Sequence, residues 1–111
     1  MKNVRKMHRQ SYYIQMQKLY KIVTEMFEID CKNKTRKMEY VNIRKIFIHV
    51  YKSVHNYVGI NTDLADFLNC SHCTILYNFH KTKTHLIAEK DFRENYEKII
   101  NIYKNEIYSQ K

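Results

Sequence analysis

The chain has 111 residues, enough for one domain around a single core. With one glycine and no proline, it lacks the turn chemistry of sheet proteins and the paired glycines of a nucleotide-binding P-loop, so no such ATPase site lies within it. Twenty Lys and Arg against eleven acids give a net charge of +9 and a pI near 9.5, a balance that favours a polyanionic partner.

Residues 1–10 read as a basic N-terminal arm: the first 21 residues hold Lys2, Arg5, Lys6, Arg9, Lys18 and Lys21 and no acid. From about Ser11, Tyr12, Met16, Leu19, Val23, Met26 and Phe27 recur at helical spacing and predict a first helix ending near residues 28–30. Residues 31–37 follow as a basic connector without core residues. A second helix is predicted over 39–55, its buried stripe being Ile43, Phe47, Val50, Tyr51 and Val54. A turn at 57–60 uses Gly59, and Asn61 or Thr62 is the expected cap of a short third helix over 63–68.

Asn69 suits the left-handed conformation of the next turn, and Ser71 the N-cap of a longer helix reaching Ala88, with Ile75, Phe79, Thr82 and Leu86 inward. After a break at 89–91, a last helix over 92–108 gathers Phe92, Tyr96, Ile99, Ile100, Tyr103 and Ile107 on one face. The expectation is an all-α, compact bundle of about five helices, one helical domain over 11–111, containing a helix-turn-helix at about residues 61–87.

Charge is distributed unevenly along these elements. Residues 31–62 carry Lys32, Lys34, Arg36, Lys37, Arg44, Lys45 and Lys52 against Glu39 alone; residues 67–88 carry Lys81 and Lys83 and no acid; residues 91–108 are nearly balanced. One side of the molecule is therefore expected to be strongly positive, as phosphate binding requires. A short helix, a tight turn and a longer helix form the unit that lays its second helix in a major groove. The base-reading candidates are Ser71, His72, Cys73 and Thr74 in its first turn, with Tyr77 and Lys81 one turn on.

Other chemistries fit less well. Cys70-x-x-Cys73 with His72, His80 and His85 suggests zinc, but these residues spread along one helix instead of forming two converging pairs. No third group is placed to orient a cysteine–histidine pair, so the chain is not expected to be an enzyme, and no cofactor or metal is expected. Ten tyrosines include four candidate stacking platforms, Tyr12, Tyr13, Tyr77 and Tyr108, while Tyr51, Tyr96 and Tyr103 fall on core stripes. The first helix's Met/aromatic stripe reads as core, with pairing to a second copy as the alternative. The mixture of aromatics and lysines at 11–21 is the one feature that suits a membrane surface.

The run Phe67-Leu68-Asn69-Cys70-Ser71-His72-Cys73-Thr74-Ile75-Leu76-Tyr77, with Lys81 beyond it, resembles the signature of the C-terminal DNA-binding domain of the bacterial replication initiator DnaA, Phe-Gly-Gly-Arg-Asp-His-Thr-Thr-Val-Leu-His. Arg44-Lys45-Ile46 within residues 41–50 is similar to that domain's basic loop entering its long helix, and Val23, Met26, Phe27 and Ile29 to the segment before it; the likeness covers roughly residues 20–87. It implies a Trp repressor-like helix-turn-helix, with Arg44 and Lys45 on phosphates, Asn42 in the basic loop where the family reaches into the minor groove, and Ser71, His72, Cys73 and Thr74 at bases or the nearby backbone; Arg36 and Lys37 join the DNA-binding candidates from the basic connector. Leu68-Asn69 replaces Gly-Gly, Cys70 an arginine, Ser71 an aspartate, Cys73 a threonine and Asn42 an arginine, so the family's usual box is not the expected target.

The function expected is sequence-specific binding of double-stranded DNA, in replication initiation or transcriptional control, without the ATPase module. The alternative is a phage structural or packaging adaptor using the bundle for protein or non-specific DNA contacts. Enrichment in Lys, Asn, Ile and Tyr suits an AT-rich genome and a phage or mobile element. Three cysteines and no recognisable signal peptide or 20-residue apolar run suggest a cytoplasmic protein of a bacterial cell or phage-infected host, with replication or transcription proteins or a second copy as further partners and no membrane.

Overall fold

The computed structural model describes residues 2–108, with side chains from Ser11 onward. Five helices follow in order: α1 (Lys2–Phe27), α2 (Met38–Val54), α3 (Ile60–Leu68), α4 (His72–Ala88) and α5 (Lys90–Tyr108). No strand occurs among the described residues, and the architecture is a small all-α bundle. α2 packs against α1, α4 and α5, which makes it the central helix.

α2 is central because its apolar positions are not confined to one narrow stripe. Ile43, Ile46, Phe47, Ile48, Val50 and Tyr51 are all buried, so it meets neighbours on several sides. Met16, Leu19 and Val23 of α1, Leu64, Ala65, Phe67 and Leu68 of α3, Ile75 of α4, and Phe92, Ile99 and Tyr103 of α5 close the core around it. The Phe47 and Phe67 rings stack at 5.7 Å, tying α2 to α3 at the root of the helix-turn-helix.

Several boundaries differ from the sequence expectation. α1 begins at Lys2, so the backbone of residues 2–10 continues the first helix; the arm's side chains and Met1 lie outside the described residues, as do residues 109–111 of the expected domain. Met26, placed on the inward stripe, is partly exposed (39%) because the helix ends one residue later, where Glu28 takes φ 55°. α3 starts at Ile60, and its N-cap is Gly59 at φ 91°, not Asn61 or Thr62. Ile60 is buried, and pulling that side chain inward brings the helix start forward. Only Glu89 separates α4 from α5.

The connector also differs: Cys31 is fully buried and belongs to the core. Local turns hold the segment in place. The Asp30 carboxylate accepts from the Lys32 backbone N–H at 2.9 Å and from the Tyr20 hydroxyl, and Asn33 Oδ1 accepts from the Thr35 N–H at 3.1 Å. Burial pushes the Cys31 thiol up to about 12, with Asp30 adding to it, so this cysteine stays a protonated, inert core residue.

Candidate nucleic-acid interface

The turn between α3 and α4 is short because two residues have the conformations it needs. Asn69 adopts φ 54°, ψ 55°, and its N–H returns to Asp66 O, while the Cys70 N–H bonds Ala65 O at 2.9 Å. Ser71 then caps α4, its Oγ accepting from the Thr74 N–H at 3.2 Å and lying 3.0 Å from Thr74 Oγ1. Ile75 and Thr82 are the fully buried residues of α4; Thr82 satisfies its hydroxyl by donating to Asn78 O at 2.6 Å.

With Ile75 and Thr82 inward, the leading turn points out. Ser71, His72, Cys73 and Thr74 are all exposed, as are Tyr77 (61%), His80 and Lys81. Lys81 Nζ lies 5.6 Å from the centroid of the Tyr77 ring, so the two share one surface. Tyr12 is not available as a stacking platform. It is half-buried, its ring stacked on Tyr57 at 3.8 Å. Tyr13, Tyr77 and Tyr108 remain exposed.

Arg44, Lys45 and Asn42 lie within α2, not on a loop, because Ile43, Ile46 and Phe47 need helical spacing to reach the core. Arg44 is half-buried and bridges back along the chain, its Nε donating to Tyr40 O at 3.3 Å and its Nη2 to Thr35 O. It holds the connector in place as well as lending charge. Asn42 is half-buried with its Oδ1 enclosed and unpaired. Lys45 is half-buried, its ammonium held below the ordinary lysine value by burial and then by Lys81. Arg36 and Lys37 are exposed on the connector.

A cleft of about 220 Å³ brings part of this set together. Lys32 and Lys34 of the connector, Arg44 and Ile48 of α2, and Ser71, Thr74 and Asn78 of α4 line it, with no carboxylate among the lining residues. Arg36, Lys37, Asn42, Lys45, His72, Cys73, Tyr77 and Lys81 lie outside it. Lys32 and Lys34 were not among the sequence candidates. Their cationic run was visible, but only the fold of the connector sets these two, and not Arg36 and Lys37, beside α4. Lys32 Nζ rests over the Phe67 ring at 4.0 Å, which fixes its position at the cleft edge.

Among the described residues no group of three His, Cys, Asp or Glu converges on a possible metal position. Cys70 is half-buried at the turn, and burial raises its thiol above the ordinary value against the opposing fields of Lys34 and Arg44. Cys73 is exposed. No helix among the described residues is long and apolar enough to cross a membrane.

These features define a small all-α bundle that presents the capped, polar start of one helix beside a cation-lined cleft. Comparison with known protein families, curated proteins and solved structures gives no match.

Proposed function

We propose that the chain binds double-stranded DNA sequence-specifically, with α4 as the recognition helix in the major groove, in replication initiation or transcriptional control. The observation that carries this reading is the leading turn of α4: Ser71, His72, Cys73 and Thr74 stand exposed together, free of carboxylates, next to the cleft formed by Lys32, Lys34 and Arg44. Hydroxyl, imidazole and thiol groups at a helix start address base edges, while flanking cations exchange condensed counterions for phosphate contacts. The likeness of residues 67–77 to the DnaA DNA-binding signature supports the same assignment of roles. On that analogy Cys73 is suited to a thymine methyl.

Selection of bound duplexes from a random pool tests the reading. A defined motif is expected to enrich, and His72→Ala with Cys73→Ala is expected to flatten the preference while leaving the melting temperature unchanged. Uniform, salt-sensitive retention of all sequences would instead favour the adaptor reading. That second reading has one observation of its own: Tyr13 and Ile14 of α1 are exposed and line an open groove suited to a protein contact.

A further inference from the structure

The cleft accounts for the cations on only one flank of α4. On the other side of its buried Ile75–Thr82 line, α4 carries Phe79 and Lys83 toward α2. Lys52 Nζ lies 4.1 Å from the centroid of the Phe79 ring, and Lys83 Nζ lies 5.2 Å from the same centroid. The His49 imidazole stacks on that ring at 4.9 Å with a 20° interplanar angle, while its Nδ1 is 2.9 Å from the Tyr96 hydroxyl of α5. Three basic side chains thus meet at one aromatic side chain. Among the described residues, neither Lys52 nor Lys83 forms a salt bridge.

Packing does not require this arrangement. α2 and α4 are already joined through fully buried Ile75 and Thr82, the Thr82 hydroxyl lying 3.5 Å from Lys45 O. Two ammonium groups on one ring repel each other, and partial burial followed by Lys83 holds the Lys52 ammonium below its ordinary value. The ring attracts each ammonium but carries no net charge, so the free protein keeps two cations on a fixed platform with no carboxylate of the described residues paired to either, and an anion there would offset their repulsion.

The shape of the duplex says where that anion lies. A helix with its side chains is about 10–12 Å across, and the major groove is about 12 Å wide, so a helix seated in it has a phosphate strand along each flank. We infer that Lys52 and Lys83, seated on Phe79, form a phosphate-binding site for the DNA strand opposite the one that meets the Lys32–Lys34–Arg44 cleft. The inference rests on the reading of α4 as the recognition helix. It adds two residues that act by position and not by sequence: they set the register of α4 in the groove and read no base.

The test compares binding of the selected duplex against salt concentration for the parent, Lys52→Ala/Lys83→Ala and Lys52→Arg/Lys83→Arg. Loss of two phosphate contacts makes the slope of log affinity against log salt shallower by about 1.8 for the alanine pair. The arginine pair is expected to keep the parent slope, and the selected motif to stay the same in all three. The alanine pair loses both ring contacts along with the repulsion, so the free variant is expected to stay folded with a small change in melting temperature; should it fail to fold, Lys83→Ala alone carries the test, with a loss of about 0.9 in slope. A parent-like slope in a folded alanine variant overturns the inference and leaves the recognition-helix reading intact. A parent that selects no motif overturns that reading and this inference with it.

Discussion

Ser71 and Asn69 together decide the angle at which α4 leaves the turn. Asn69 reaches the left-handed region because its short amide side chain tolerates that conformation better than a branched residue would. Ser71 supplies the acceptor for the Thr74 N–H that the helix itself leaves unpaired. Ser71→Ala is expected to cost about 1 kcal/mol of stability, read by chemical denaturation, and to weaken duplex binding further by loosening the turn that carries His72 and Cys73. Arg44 has two roles at this scale, because two of its N–H groups already hold the connector and the start of α2. Arg44→Ala should therefore lower the melting temperature as well as reduce the salt slope of DNA binding by about one; a surface phosphate contact alone would change only the slope.

Between elements, two histidines join α2 to α5. His55 Nε2 lies 2.6 Å from the Tyr103 hydroxyl, and His49 Nδ1 lies 2.9 Å from that of Tyr96. Burial holds both imidazoles below the ordinary histidine value; for His49, Lys83 and Lys52 add to the effect. A folded-state value below the unfolded one means that the unfolded chain binds protons more readily as pH falls. Stability is therefore full above about 6.5 and is lost as pH drops through the lowered folded values. The melting temperature is expected to fall between pH 7.5 and pH 5, and His49→Gln with His55→Gln to flatten that fall. A melting temperature independent of pH over this range would show that the two side chains carry no linkage. α4 and α5 are joined differently, His85 pairing with Glu89 at 3.0 Å and stacking on Phe92 at 3.7 Å, which bridges the single-residue break.

At the scale of the molecule, cations surround the start and both flanks of α4, while the acids of α5 at Asp91, Glu94, Glu97 and Glu106 are exposed on the final helix. Under the proposed function, such a surface would attract duplexes before any base is read. If Lys34, Arg44, Lys52 and Lys83 each meet one phosphate, binding to an unselected duplex is expected to show a salt slope of about −3.6, measured by fluorescence anisotropy. A slope near zero would separate this charge distribution from nucleic-acid binding altogether.

Hydrophobic spacing alone specified most of the secondary structure. Ile43, Phe47, Val50 and Tyr51, or Ile75 and Thr82, can face one core only as helices, and near-absence of glycine and proline left little room for anything else. Asn69 and Ser71 were legible because their preferences are local. The burial of Cys31, the Gly59 cap and the engagement of Tyr12 with Tyr57 were not, because each depends on a neighbour distant in sequence or on which side chain the core draws inward. The same limit applies to the candidate interface. The chain's own order gave the exposed polar start of α4 and the surplus of cations, since net charge and periodicity are sums over residues. Which of those cations stand together was decided only by folding: the connector turns at Asp30 and Asn33 set Lys32 and Lys34 at the cleft, and the packing of α2 on α4 sets Lys52 and Lys83 on Phe79. Electrostatic fields depend on distance in space, and distance in space is a property of the tertiary structure.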